Sequence, residues 1–216
     1  MPSQPALRAK AGDAITVFDG HGRRASAKVL EVSRDRVSLE ISEVVSPAPP
    51  QPHITLAQAI PKGKTMDLIV QKAVELGVAG IEPLVTRHTI VQPGEGKSEK
   101  WTRVALEACK QCGQDMLPEI SPAVAFDAWI AGAEKISGLK LIASLAPGAQ
   151  AMREVLRAHP ATTEATVLVG PEGDFSPQET AAALAAGFIP VSLGNIVLRV
   201  ETASLFCISA LRYEFA

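Results

Sequence analysis

Two glycine loops, each between an apolar run and a helix-like segment, carry the chemistry this chain can offer. The first lies in LVGPEGDFSPQE, Leu168 to Glu179. There the apolar run Thr166 to Val169 breaks at Gly170-Pro171-Glu172-Gly173. Ser176 then reads as an N-cap, with Pro177 at the first helical position and Glu179 closing a capping box. The second is LGNIVLRVETAS, Leu193 to Ser204, where the run Phe188 to Leu193 turns at Gly194 and a helix is expected from Thr202 to Phe215. Glycine permits positive φ and close approach of a ligand. Two such loops at the ends of neighbouring strands are where an α/β sheet binds a small molecule. Arg199 and Glu201 bring charge to the second loop. Arg199 cannot lose its proton, so it either stabilises a developing anion or forms a salt bridge on the surface or at an interface. Glu201 either faces a bound cation or sits at the positive end of the helix that follows. Glu172 either structures its own loop, the favoured role, or faces a bound cation.

The elements that must position these loops alternate. From His53 onward the pattern gives a strand at Ile54 to Ile60, a helix at Thr65 to Leu76 ended by Gly77, and a strand at Ile81 to Val85. A helix at Glu99 to Gln111, a strand at Lys140 to Leu145 and a helix at Ala149 to Ala158 precede the two loop units. This is an α/β chain with a mostly parallel sheet and helices on both faces. The first fifty residues are β-rich instead. Ala14 to Phe18, Ser26 to Val32 and the alternating Val37, Leu39, Ile41 read as three strands on tight turns, a small barrel or an open sheet. The proline-rich stretch Ser46 to Pro52 reads as a linker, giving a small domain over 1–48 and a larger one over 53–216.

Composition restricts the function classes. Apolar residues make up 47% and charged residues 20%, as in ordinary globular proteins. No run approaches the ~18–20 apolar residues of a membrane span, and MPSQPALRAK has no apolar leader, so a cytoplasmic protein is expected. The net charge of −2 argues against broad nucleic-acid affinity, so any RNA would be held on local patches. Lys62, Lys64 and Arg87 fall on loops at strand ends without an adjacent acid, where they suit phosphate contacts or serve as solvated surface charges. Arg8, Arg23 and Arg24 offer the same in the N-terminal region. No metal site is expected: Cys109 and Cys112 form a lone C-x-x-C late in a helix, and His21, His53, His88 and His159 do not cluster. Gly94 to Ser98 ends like a phosphate loop but lacks its first glycine and its leading strand.

GPEGDFS followed by LGNIVLRVETA resembles the paired signature of the RsmE family, whose usual forms are GPEGGxS and LGxRxLRxETA. KGKTMDLIVQKAVELGV, Lys62 to Val78, is similar to that family's KxxxMDxxxQKxxELGV segment. EACKQCGQDMLPEI, Glu107 to Ile120, is similar to its EAxEQxGRxxxPEI segment. These are SPOUT-class methyltransferases acting on N3 of a uridine in 16S rRNA of the small ribosomal subunit. The resemblance implies a SPOUT-type sheet ending in a C-terminal trefoil knot, preceded by a small PUA-like β-barrel that helps grip RNA. It implies S-adenosyl-L-methionine held by three loops: Ser144, Leu145 and Ala146; Gly170, Glu172 and Gly173; and Leu193, Gly194, Ile196, Leu198 and Thr202. Arg199 and Glu201 become the catalytic candidates, one stabilising the uracil anion and the other near the sulfonium or acting as base. It implies a homodimer acting on rRNA in a structured small subunit. Arg87 matches an arginine common at that place in the family, and Arg8 one in its VLRxxxGD stretch. This chain departs from the pattern at Asp174, where the family has glycine, and at Ile196 and Gln114, where it has arginine. A SPOUT enzyme of tRNA ribose would be expected to carry asparagine-serine where this chain has Glu201-Thr202-Ala203. A non-catalytic RNA-binding or ribosome-assembly protein with the same fold is the alternative from another class.

Overall fold

The computed structural model describes residues 9–90, 94 and 96–215, so Arg8 lies outside the described residues. The chain divides between Pro49 and Pro50 into two compact units. In the first, β1 (Ala14–Phe18), β2 (Arg24–Val32) and β3 (Val37–Val45) form an antiparallel sheet in the order β1-β2-β3. Among the described residues it is open, the second of the two forms expected for this segment. Ala25, Ala27 and Val29 point inward from β2 while their neighbours are exposed, as a period of two requires. Asp19 organises the β1–β2 turn: it accepts from the amides of His21 at 2.7 Å and Arg23 at 3.1 Å. The Arg23 Nε donates to its other oxygen at 2.6 Å, and this bond first, then the amides, holds the Asp19 carboxyl down at about 2.

The second unit runs β4 (His53–Ala59), α1 (Thr65–Glu75), β5 (Gly80–Val85), α2 (Lys97–Cys112), β6 (Glu119–Ile120), β7 (Val124–Ala125) and α3 (Phe126–Ile130). It continues through β8 (Leu139–Ala143), β9 (Gln150–Ala151), α4 (Met152–Ala158), β10 (Glu164–Val169), α5 (Pro177–Ala185), β11 (Ile189–Ser192) and α6 (Val200–Phe215). The sheet order is β6-β5-β4-β10-β8-β11-β9, with β7 also on β5, and every pairing is parallel. Buried on both faces, its strands are apolar runs: Ile54, Leu56, Leu141, Val167 and Leu168 have no exposed surface. In α1, Met66, Ile69, Val70, Ala73 and Val74 share the buried face at helical spacing. Arg212 of α6 donates through Nε to the Leu76 carbonyl at 3.1 Å and through Nη2 to Gly77, a cation on the carbonyl end of α1.

Several expected boundaries move, three of them beside the strand-end loops. The last helix begins at Val200, two residues before Thr202, because the Arg199 carbonyl already accepts the Ala203 amide at 2.8 Å. The helix expected from Ala149 begins at Met152, because Gln150 and Ala151 pair with Val191 and Ser192 at the sheet edge. The strand expected through Leu145 ends at Ala143. The pieces β6, β7 and α3 were not foreseen: two-residue strands and a five-residue helix show no periodicity.

Candidate active site

Strands β10, β8 and β11 are neighbours in the sheet although 20 residues or more separate their starts in sequence. Parallel strands end on one edge, so the loops after Val169, Ala143 and Ser192 meet there. They enclose a cavity of about 430 Å³, within the ~300–1,000 Å³ typical of small-molecule sites. Ser144 and Leu145 line it from the first loop, Gly170, Glu172 and Asp174 from the second, and Leu193, Gly194, Ile196 and Leu198 from the third. Arg199 and Glu201 line it from the start of α6.

Each loop is fixed by its own chemistry. The Ser144 amide donates to Val191 at 3.0 Å, continuing the β8–β11 pairing, and its hydroxyl accepts from the Ala146 amide at 3.1 Å. A side chain at Gly170 would be tight: a Cβ would lie 3.1 Å from Asp174 Oδ1 and 3.3 Å from the Phe175 ring, which would have to shift by a few tenths of an ångström. Asp174 has φ of 56°, the left-handed region that Asp and Asn enter at least cost after glycine, and its carboxylate accepts from the Phe175 amide at 2.8 Å. That geometry explains how aspartate stands where the resembling pattern has glycine. Phe175 then anchors the loop in the core against Phe126, with ring centroids 5.6 Å apart. Gly194, at φ of 127°, differs: a Cβ there meets no atom within 4 Å, so its glycine answers to backbone conformation and to the open cavity.

The capping box on α5 is present, with the Ser176 hydroxyl accepting from the Glu179 amide at 3.3 Å and the Ser176 amide donating to Glu179 Oε2 at 2.8 Å. Glu179 does more than cap. Its Oε1 accepts the Arg87 amide at 2.8 Å, tying the turn after β5 to the start of α5. Glu172 accepts the Lys62 amide at 2.9 Å, so it structures its loop while lining the cavity. That bond engages the Lys62 backbone and not its ammonium group.

Arg199 is the cap residue of α6 and Glu201 lies in its first turn, where a carboxylate is favoured by the helix dipole. Arg199 is exposed and Glu201 half-buried, and among the described residues neither side chain is in an ion pair. A salt bridge within the described chain is thus removed as the reason for Arg199. Behind them, Ser204 and Gln58, both fully buried, are hydrogen-bonded to each other. The Gln58 amide also donates to the Ala59 carbonyl at 2.8 Å. This link pins the start of α6 to the end of β4, and Gln58 sits in register with Val169, the residue before Gly170. Sequence reasoning missed it, although a glutamine inside the apolar run ITLAQAI was a signal.

Three residues expected in the same set lie outside the lining. Ala146 is turned into its own loop by the Ser144 and Ala149 contacts. Thr202 falls on the exposed face of α6, rotated away from Glu201. Gly173 faces His88 instead, whose Cβ lies 3.1 Å from where a glycine Cβ would stand, and lines a second concavity with Lys62 and Arg87. Lys64 precedes α1 and is exposed. Arg23 is committed to Asp19, and Arg24 opens β2 with a partner of its own. No group of three or more metal-ligating side chains is gathered among the described residues, and none of their helices is long and apolar enough to cross a membrane.

An RNA methyltransferase domain matches residues 48–212, and an RNA methyltransferase PUA domain matches residues 6–42. The chain is 31% identical to ribosomal RNA small subunit methyltransferase E of Synechocystis, over 93% of this chain and 66% of that one. It is 32% identical to the protein of the same name from Aquifex aeolicus, over 88% of this chain and 81% of that one. The fold is similar to the crystal structure of a ribosomal RNA small subunit methyltransferase E from Neisseria gonorrhoeae bound to S-adenosyl methionine. That match has a TM-score of 0.87 at 32% identity and covers 97% of this chain and 86% of that one. With a family domain over most of its length and relatives above 30% identity, the chain belongs to the ribosomal RNA small subunit methyltransferase E family.

Proposed function

We propose that this protein methylates N3 of a uridine in 16S ribosomal RNA, using S-adenosyl-L-methionine. The observation that carries the reading is the convergence of three strand-end loops on one cavity, with Arg199 and Glu201 on its wall. The cavity fits such a cofactor. It offers apolar surface from Leu145, Val169 and Leu198, backbone groups of two glycine loops, and the carboxylates of Glu172 and Glu201 for a positive centre. When bound, S-adenosylmethionine supplies an electrophilic methyl group. The protein's own residues have a different task. Uridine N3 carries a weakly acidic proton, and removing it leaves charge on the uracil ring. The Arg199 guanidinium lowers the energy of that anion, and Glu201 takes up the proton.

The rest of the reading follows from the same family. Residues 1–48 serve as the RNA-gripping domain and residues 53–216 as the catalytic domain, whose C-terminal part is threaded as a trefoil knot. Two copies form a homodimer in the cytoplasm and act on a structured small subunit. Base chemistry needs the target edge freed from pairing, and at physiological salt a chain with net charge −2 holds short RNA poorly, so a short hairpin should turn over slowly there. Mass spectrometry of rRNA nucleosides from cells with and without the chain tests the reading. Loss of 3-methyluridine on deletion supports it. Unchanged nucleosides, together with no cofactor binding by calorimetry, would make the protein a non-catalytic RNA binder.

A further inference from the structure

The second concavity lies against the other flank of the cofactor loop: Gly173 lines it, while Gly170, Glu172 and Asp174 line the first. Lys62, Arg87, His88, Thr89 and Ile90 complete it. Its base is a rigid turn. The Thr86 amide donates to the Thr89 hydroxyl at 2.9 Å, and the Thr89 amide donates back to the Thr86 carbonyl at 3.1 Å. Both threonines are buried, at 6% and 8% exposure, and the two residues between them stand in solvent. Glu179 holds the Arg87 amide from below, leaving its guanidinium outward. Glu172 holds the Lys62 amide in the same way. The acids that anchor these two residues therefore grip backbone and leave both cationic side chains available.

His88 adds a different function. Its Nδ1 lies 2.9 Å from the Asp174 carbonyl oxygen. A carbonyl only accepts, so Nδ1 carries the hydrogen, and in the neutral ring Nε2 is left as an acceptor. Among the described residues Nε2 has no partner. Two cations beside one acceptor match the two parts of a ribonucleotide backbone, an anionic phosphate and a donating 2′-hydroxyl.

We propose that this concavity is a ribose-phosphate subsite for the RNA strand that delivers the target base. Lys62 and Arg87 take a phosphate, and His88 Nε2 accepts from the neighbouring 2′-hydroxyl and so selects RNA over DNA. The proposal rests on the reading of the protein as an RNA methyltransferase. Its place on the cofactor loop sets the strand beside the reacting centre.

The test uses the full-length protein with S-adenosylhomocysteine and measures anisotropy of a short single-stranded oligoribonucleotide and its DNA counterpart across a low-salt series. The parent should prefer RNA. Arg87→Ala should weaken both nucleic acids severalfold and reduce the salt slope by about 0.7, the value for one single-strand phosphate contact. His88→Ala should abolish the RNA preference and leave the slope in place. Both variants should bind S-adenosylhomocysteine as the parent does. The subsite is overturned by a parent with no RNA preference or no detectable binding, or by an Arg87→Ala protein with the parent's slope. His88 loses its role if its variant keeps the preference, or loses cofactor affinity in proportion and so proves a loop strut. Methylation of small subunits by the parent, measured alongside, keeps the two readings separate. A parent that methylates while the variants bind normally leaves the enzymatic reading standing and the subsite refuted.

Discussion

In the capping box of α5, Glu179 should carry more of the stability than the N-cap Ser176. Ser176→Ala removes one long bond, 3.3 Å to the Glu179 amide, and caps of this kind are worth about 1 kcal/mol. Glu179→Ala removes an acceptor from two backbone amides at once, Ser176 and Arg87, each at 2.8 Å. Glu179 is only 7% exposed, so water does not readily replace it. Hydrogen bonds to a charged group contribute about 1.5–3 kcal/mol each. The Arg87 amide lies near the surface and recovers part of its loss by hydration. The expected cost of Glu179→Ala is therefore about 2–4 kcal/mol, less than the roughly 3–6 kcal/mol of two such bonds fully lost. Glu179→Gln keeps one accepting oxygen but turns an NH₂ toward the second amide, so it should fall between the two. Urea unfolding followed by circular dichroism gives the ranking directly from midpoints at constant slope. A Glu179→Ala variant no less stable than Ser176→Ala would show that the Arg87 amide is not held by this carboxylate in solution.

Arg199→Ala should slow single-turnover methylation by about a hundred- to a thousandfold with cofactor affinity little changed, and Arg199→Lys should recover only part; parental rates in a folded alanine variant would remove it from the mechanism. Gly194→Val should leave the circular dichroism spectrum intact, because its Cβ enters open space, yet abolish cofactor binding by calorimetry through strain at φ of 127° and a side chain beside the cavity. Ser204→Ala should cost about 1–3 kcal/mol by leaving Gln58 Oε1 buried without a donor, and a double-mutant cycle with Gln58→Leu should show coupling above about 0.5 kcal/mol. Alkylation of the native protein at pH 8 should modify Cys112, which is exposed, well before Cys109 and Cys207, whose thiols burial raises to about 11 and about 12; rapid labelling of all three would contradict that burial.

Local chemistry was legible in the sequence wherever a residue's role depends on its own neighbours. The α5 cap follows from Ser176, Pro177 and Glu179 alone, and the buried face of α1 from the spacing of Met66, Ile69, Val70, Ala73 and Val74. From the residue pattern alone the cavity was legible as two separate glycine loops, the third loop entering only through the family resemblance. Its assembly depends on β8, from residue 139, lying between β10 and β11, from residues 164 and 189. No local pattern encodes that order. Proximity across the sheet also decides which member of a motif does the work. Within Gly170 to Asp174, alternate turns of one loop send Glu172 to the Lys62 amide and Gly173 to His88, so a motif read as one ligand site serves two.

Glu179 and His88 show the same limit from the other side. Each has a role that is plain from its type, a capping carboxylate and an isolated histidine, and each has a second role set by a partner about 90 residues away in sequence, Arg87 and Asp174 respectively. A carboxylate capping one helix has an oxygen to spare, and a histidine with one nitrogen held has one left over. Side chains with more bonding capacity than their local motif consumes are therefore where distant segments are joined or a ligand is met. Glu179 spends its surplus inside the protein, on the amide beneath Arg87. His88 has no such partner among the described residues, and its surplus faces solvent beside two cations. That difference is what separates a strut from a binding residue in this turn.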